Sequence, residues 1–176
     1  LWTSVRANGP DRPHRLNRLE LRICDLITDP DMLLAVTALL ELRVQQVLRD
    51  PQSHDPLHSS SLSLEELEIL SMNNDRAAAQ SSLDATLCDW HDGHERSCRD
   101  WLKQLIDSVV PLAHELGLHE QLKPLQSILM HGNQAMRWLD GIDRGDTIEA
   151  MLRSSISAMQ DEEMRGVCVS AERALG

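Results

Sequence analysis

The chain has 176 residues, of which 41% are hydrophobic and 26% are charged, ordinary values for a soluble globular protein with one core. Its formal net charge is −11 and it carries no Lys/Arg-rich stripe, which argues against nucleic acid and anionic membranes as partners. The longest apolar stretch, residues 32–40, is too short to cross a bilayer.

The start of the chain indicates whether it is a fragment, and its cysteines indicate the redox compartment. The sequence begins at Leu1 without a start methionine, and its first residues look like the inside of a domain, so we expect a fragment whose amino-terminal part is missing. The four cysteines are scattered and do not suggest a disulfide framework, which favours a reducing cytoplasm. They are Cys24, Cys88, Cys98 and Cys168.

The first 28 residues are predicted to form a loop and one strand. Gly and Pro punctuate residues 6–13, which predicts a loop. Residues 18–26 alternate in polarity, which predicts a strand with one apolar and one charged face. Because a lone strand leaves its edges unpaired, we expect its sheet partners to come from outside this chain, with the helices packed on one side of the sheet.

Residues 29–176 are predicted to be mostly helical. Asp29 and Pro30 mark a helix start, because Asp is a preferred N-cap and Pro suits the first helical position. That helix is expected to run to about Arg49. We expect it to be well buried, since its Leu and Val residues cover most of its circumference.

A polar surface loop is predicted over residues 52–61, followed by a second helix. Ser63 and Glu66 match a capping box, in which each side chain satisfies a backbone donor of the other residue. The helix that starts there should continue to about Ala79.

A short hairpin is expected near residues 83–96. Residues 83–90 suit a strand, and Asp92-Gly93 is a hairpin turn signal. Sulfur and imidazole ligands around this turn have spacing that could close a Zn²⁺ site, but hairpin geometry sends side chains at such gaps to mixed faces. We therefore expect no tight zinc site from Cys88, His91, His94 and Cys98.

The remainder of the chain is predicted to be helical. Pro111 should bend the first helix, Gly132 lies near the end of the second, and Asp146 is expected to cap the fourth. The resulting fold class is α+β, mostly helical with one or two strands of an antiparallel sheet. The expected helices cover residues 97–116, 120–130, 133–139, 146–160 and 161–175.

The predicted strand carries the residues with the clearest chemical potential. Glu20 and Arg22 lie two positions apart and therefore project from the same sheet face. A carboxylate there can hold a metal–phosphate group, and a guanidinium can hold an anionic substrate. On pattern alone, a solvent-facing strand with a cross-strand salt bridge explains the same residues.

Three segments resemble one known family. Residues 20–25, Glu-Leu-Arg-Ile-Cys-Asp, resemble the Glu-x-Arg-x-Cys-Asp strand of the glutamate–cysteine ligase family that includes bacterial carboxylate–amine ligases. Residues 74–79 and 83–85 resemble its later Asn-containing helix and its Gly-Leu-Asp-Ala-type segment. Residues 125–139 contain Gly-Asn-Gln-Ala-Met, a pattern of cyanobacterial members. The resemblance extends over about residues 1–163.

The sequence departs from the family pattern at one place. Ser82 stands where many relatives have Gly, and Gln80 and Ser81 replace an Arg-Tyr-like pair of the carboxylate–amine ligase branch. These differences concern the pocket wall near residues 80–82, and they favour the cyanobacterial branch.

The resemblance implies a glutamine-synthetase-like catalytic fold, of which residues 1–176 would form the carboxy-terminal part of a single catalytic domain. It implies ATP and Mg²⁺ as requirements, with glutamate activated as an acyl phosphate and cysteine as the amine. Glu20 is then a candidate metal ligand, and Arg22 a candidate catalytic and substrate-binding residue. Asn74 and Arg76 are candidate substrate or nucleotide contacts at the rim.

Two other functions stay open on the sequence. One is a carboxylate–amine ligase that uses another amine, and the other is a non-catalytic helical interaction module. A helical module has no need of Glu20 and Arg22 on one strand face, which favours a ligase. The chain alone is expected to be inactive, and its oligomeric state is not predicted.

Overall fold

The computed structural model describes residues 5–8, 18–21 and 27–174, with side chains from residue 27 to residue 161. It confirms the α+β class, because helices predominate and the described strands form two small antiparallel sheets. The helices are α1 Pro30–Arg49, α2 Pro56–Ser59, α3 Leu64–Ser81, α4 Cys98–Leu116, α5 Leu125–His131, α6 Gln134–Asp143 and α7 Ile148–Ala174. None of these described helices has an apolar stretch suited to crossing a membrane.

The first sheet pairs β1, Val5–Asn8, with β2, Arg18–Leu21, in antiparallel register. The predicted loop over residues 6–13 is therefore wrong for residues 6–8, and a partner of the predicted strand lies within this chain. Gly9 and Pro10 follow the strand directly in sequence. Such residues indicate where a strand ends, but they do not indicate the structure of the residues before them.

The first helix, α1, begins and ends where the sequence predicts. Asp29 is its N-cap, and its Oδ1 accepts hydrogen bonds from the backbone N–H groups of Asp31 at 2.9 Å and Met32 at 3.1 Å. The expectation that α1 is well buried is wrong for one side of the helix. Leu34 and Leu48 are 58% and 67% exposed, because the described helices pack against the opposite face only.

The core lies between α1, α4, α5 and the 3₁₀ turn Glu120–Leu122. Its buried side chains are all apolar, and each buried Leu, Ile, Val or Met contributes up to about 1.5–3 kcal/mol relative to an exposed position. Leu42 and Val109 are the largest of the fully buried ones. The buried members are Met32, Ala35, Ala38, Leu39, Leu42, Ile106, Val109, Leu112, Ala113, Leu122 and Leu125.

Local sequence signals also predict where α3 begins and where the second sheet forms. The capping box of Ser63 and Glu66 is present, and α3 extends to Ser81. Strands β3, Thr86–Cys88, and β4, Glu95–Ser97, form the predicted antiparallel hairpin. The strand expected over residues 83–90 is shorter than predicted, because residues 82–84 form a 3₁₀ turn. The predicted surface loop over residues 52–61 contains the one-turn helix α2, which starts at Pro56 behind the N-cap Asp55.

The carboxy-terminal helices differ from prediction in two places. The helix expected over residues 120–130 is divided into a 3₁₀ turn and α5 around Pro124, whose ring cannot donate a backbone hydrogen bond. The two helices expected after Asp146 form one continuous helix, α7. Its first turn is capped by Thr147, whose Oγ1 accepts from the backbone N–H of Ala150 at 3.2 Å, and not by Asp146.

Candidate functional site

The predicted Glu20 and Arg22 lie at the border of the described part of the chain. Glu20 is on β2, directly opposite Arg6 of β1. Arg22 and the side chains of both residues lie outside the described residues. Their shared face and their roles therefore stay predictions.

Asn74 fastens helix α3 to the hairpin. Its Nδ2 donates to the backbone carbonyl of Cys88 at 2.8 Å, and its Oδ1 accepts from the backbone N–H of Cys88 at 2.8 Å. Both functional groups of the amide are thus engaged with β3. This geometry gives Asn74 a structural task that the sequence pattern did not reveal.

Arg76 lies in a different setting from Asn74. Its side chain is exposed, and it makes no hydrogen bond or ion pair with any residue that the structure describes. Residues two positions apart on a helix point to different sides, so α3 does not bring the Asn74 and Arg76 side chains together. Arg76 stays free to meet a ligand, whereas the Asn74 amide is occupied.

A pocket of about 270 Å³ opens between the start of α1 and the start of α6. One of its lining residues, Ile27, follows shortly after the predicted strand that carries Arg22. Its walls combine apolar side chains with a few polar groups, as small-molecule sites do. The lining residues are Ile27, Thr28, Asp29, Met32, Val36, Ile128, Asn133, Gln134, Ala135 and Arg137.

Asn133 connects this pocket to the segment where the sequence departs from the family pattern. Its Oδ1 caps α6 by accepting from the backbone N–H of Met136 at 3.0 Å, and its Nδ2 donates to Ser82 Oγ at 2.6 Å. Ser82 has a φ of 50° and a ψ of −126°, a conformation that favours glycine. Ser82 therefore accepts a hydrogen bond at a strained backbone position and places its hydroxyl beside α6.

Arg137 is the cationic side chain of the pocket. Its Nη1 donates to the backbone carbonyl of Gly132 at 3.0 Å, which holds the guanidinium near the start of α6. The remaining N–H groups suit a carboxylate or a phosphoryl oxygen. We did not predict Arg137 or Gln134 as site residues, although both belong to residues 125–139, a segment that carried the family resemblance.

The hairpin turn contains a buried carboxylate, Asp89, which was also not predicted. Its Oδ1 accepts from the backbone N–H of His91 at 2.9 Å and lies 2.7 Å from His91 Nδ1, while its Oδ2 pairs with Arg96. Burial alone would raise the pKa of Asp89. The hydrogen bonds from His91 and Arg96 outweigh it and hold the pKa below its ordinary value.

The same contacts bear on the zinc hypothesis. His91 Nδ1 faces Asp89, and His94 Nδ1 lies 3.2 Å from Asp92 Oδ2. Burial raises the pKa of the Cys98 thiol, which disfavours the thiolate that zinc requires. In the part of the chain that the structure describes, no three His, Cys, Asp or Glu residues are grouped closely enough to hold a metal ion. The absence of tight zinc binding stays a prediction.

Comparison with known proteins identifies relatives along almost the whole chain. The model of the family described as Glutamate-cysteine ligase family 2 matches residues 2–170. Two similar proteins both carry the name "Putative glutamate--cysteine ligase 2". The protein from Solibacter usitatus is 27% identical over 94% of this chain, and the protein from Leifsonia xyli subsp. xyli is 32% identical over 69%. The matched part of this chain covers 40% and 30% of their respective lengths.

Proposed function

This chain belongs to glutamate–cysteine ligase family 2, and from that premise we propose that it contributes to an ATP-dependent ligase that joins the γ-carboxylate of glutamate to the amine of cysteine. The product, γ-glutamylcysteine, is the precursor of glutathione. The family match over residues 2–170 is the observation that carries the proposal. The four scattered cysteines support a cytoplasmic location, where such thiol chemistry stays reduced.

The proposed reaction proceeds in two steps. A γ-carboxylate oxygen of glutamate attacks the terminal phosphorus of ATP, and the bond to ADP breaks. The cysteine amine then attacks the acyl carbon, and inorganic phosphate leaves with the former carboxylate oxygen. The amine loses a proton as the amide forms. Both steps develop negative charge on phosphoryl oxygens, so positioned cations stabilise them.

Glu20 and Arg22 are proposed to provide the charged groups of the strand. Proteins usually bind Mg²⁺ through one or two carboxylates together with the phosphates of the substrate. A single carboxylate from Glu20 would therefore suit Mg²⁺ chemically. The metal would neutralise phosphate charge when bound. The Arg22 guanidinium would grip the glutamate carboxylate or the transferring phosphoryl group through two parallel hydrogen bonds.

The helical part of the chain is proposed to form one side of the site. Arg137 is anchored on Gly132 and offers further donors into the pocket at the start of α6. Arg76 is exposed on α3 and is proposed as a rim contact. Asn74 is proposed to act on the rim through the hairpin that it holds, because its amide is already bonded to Cys88.

A ligase that uses another amine is the second candidate, because the family also includes carboxylate–amine ligases. The test is to express the open reading frame that encodes this chain, with all adjoining coding sequence, and to supply glutamate, Mg-ATP and a panel of amines. Mass spectrometry should find γ-glutamylcysteine as the main product. A preference for a different amine would replace cysteine in the proposal, and the absence of any amide product would support a non-catalytic module.

A further inference from the structure

A second cavity, of about 310 Å³, lies between α6 and α7 and shares Arg137 with the pocket already described. We propose that this cavity, the α6–α7 groove, binds a phosphoryl oxyanion. The proposal concerns binding by this chain and does not depend on the ligase reaction. The lining residues are Arg137, Trp138, Gly141, Arg144, Asp146, Ala150, Met151, Ser154 and Ser155.

The charges of the α6–α7 groove favour an anion. Two guanidinium groups, from Arg137 and Arg144, line it beside one carboxylate, from Asp146. This local excess of positive charge occurs in a chain whose formal net charge is −11. Arg144 Nη2 lies 3.8 Å from Asp146 Oδ2, which is beyond hydrogen-bonding distance, so the Arg144 donors are not consumed by that carboxylate.

The opposite wall adds neutral donors. Ser154 and Ser155 present hydroxyl groups from α7, and neither side chain hydrogen-bonds to another group within the described residues. Hydroxyls and guanidinium groups together are the donors that proteins commonly direct at phosphate oxygens. The ring of Trp138 supplies a flat apolar surface beside them, on which a nucleotide base can stack.

The width of the groove is fixed by close helix packing. A Cβ atom on Gly141 would lie 2.8 Å from Met151 Sδ and 3.2 Å from Asp146 Oδ2, so α6 and α7 approach each other at this glycine. Gly145, with a φ of 96°, makes the tight turn between the two helices. Arg137 of α6, Arg144 directly after α6 and the hydroxyls of α7 are thereby held around one groove.

The phosphoryl group can come from free inorganic phosphate or from a nucleotide. Isothermal titration calorimetry of the 176-residue chain with inorganic phosphate, in low-salt buffer, should give saturable binding with a Kd on the order of 1 mM. Arg144→Gln should weaken binding about tenfold, because it removes one of two charge-assisted donors. The matched control Arg153→Gln, an exposed arginine of α7 that pairs with Glu149, should change the affinity less than about twofold.

A second titration with ADP distinguishes the two sources. Tighter binding of ADP that is lost in Trp138→Leu would identify a nucleotide, and equal affinities for ADP and phosphate would identify free phosphate; both results support the site. If Arg144→Gln unfolds by circular dichroism, Arg144→Met, which also removes the charge and keeps the length of the side chain, replaces it. The inference is overturned if neither ligand gives saturable binding, or if the arginine variants of the groove bind as tightly as Arg153→Gln.

Discussion

Asp89 is the buried charge on which the hairpin depends. Its side chain is only 10% exposed, and Arg96, its ion-pair partner, is 32% exposed. Asp89→Asn presents an amide N–H₂ group or a weaker acceptor to Arg96 and leaves that cation without a carboxylate. We expect a loss of about 2–3 kcal/mol in the free energy of unfolding, below the range for a fully buried pair because Arg96 reaches solvent. Urea denaturation at pH 7 measures it.

The same residue makes stability depend on pH. Because its folded-state pKa is held below the ordinary value of about 3.9, Asp89 stabilises the fold above that pH and stops doing so as the pH falls through the lowered pKa. The stability difference between the parent chain and Asp89→Asn should therefore shrink over the interval below about pH 4. A difference that stays constant over this interval would mean that the Asp89 charge contributes nothing.

Ser82 has a strained backbone conformation, and its side chain accepts a hydrogen bond that partly offsets the strain. Its positive φ costs about 1–3 kcal/mol in a non-glycine residue, and its bond from Asn133 returns about 1 kcal/mol. Ser82→Gly relieves the strain and loses the bond, whereas Ser82→Ala loses the bond and keeps the strain. Thermal or urea unfolding should find the Gly variant about 1–2 kcal/mol more stable than the Ala variant. Equal stabilities would show that the strain is absent.

Arg22 is the residue on which the proposed chemistry depends most. In the product of the complete reading frame, Arg22→Lys should lower kcat/KM by a factor that corresponds to about 2–4 kcal/mol of lost transition-state stabilisation, because an ammonium cannot make two parallel bonds to a planar anion. A rise in the glutamate KM alone would assign it to substrate positioning, and an equal fall in kcat and kcat/KM would assign it to the transferring phosphoryl group.

The control for Arg22 should be an arginine without a demanding geometry. Arg49 is unsuitable, since both of its terminal nitrogens bond Glu115, each at 2.7 Å. Arg153 is better, because it is exposed and pairs with Glu149 one helical turn away, a contact that lysine can also make. Near-native rates for both Arg22→Lys and Arg153→Lys would make Arg22 an ordinary strand charge.

At the scale of elements, local signals predicted structure well where a few adjacent residues set the geometry. The Asp29 cap and the Ser63–Glu66 capping box occur as expected, because each satisfies its hydrogen bonds within one turn. The hairpin also forms, but residues 89–94 join its strands, a longer connection than a two-residue Asp92-Gly93 turn. The short strand β1 was missed because its pairing with β2, and not its own four residues, makes it a strand.

The contact between α3 and the hairpin depends on Asn74. Asn74→Ala removes two hydrogen bonds and leaves the backbone groups of Cys88 without them, so the chain should lose about 2–3 kcal/mol of unfolding free energy. The neighbouring Asn73 is exposed, and Asn73→Ala, which brings the same gain in helix propensity, should change stability by less than about 0.5 kcal/mol. If the two variants are equally stable, Asn74 does not fasten the hairpin, and a role toward substrate gains support.

At the scale of the whole molecule, the candidate site could be predicted only in part. The charged strand and the tail pattern are visible in the sequence because each is contiguous. The pocket between α1 and α6 was not predicted, since it forms where residues far apart in sequence, such as Asp29 and Arg137, meet through packing. The occupied amide of Asn74 was equally hidden, because its partner lies on another element.

The share of the relatives' length also sets an expectation for activity. The matched part of this chain covers 40% of the Solibacter usitatus protein, and the strand proposed to carry Glu20 and Arg22 is only one part of the proposed site. We therefore expect the 176-residue chain alone to release no ADP from Mg-ATP in the presence of glutamate and cysteine. Robust turnover by the isolated chain would contradict this expectation.

Transfer of oxygen from glutamate to phosphate tests the proposed activity most directly. Glutamate labelled with ¹⁸O in its γ-carboxylate is supplied with cysteine and Mg-ATP to the product of the complete reading frame, and the phosphate is examined by mass spectrometry. Because the acyl phosphate retains one carboxylate oxygen on phosphorus when the amine attacks, each γ-glutamylcysteine formed should accompany one ¹⁸O-labelled phosphate. Unlabelled phosphate, or ADP release without γ-glutamylcysteine, would contradict the proposal.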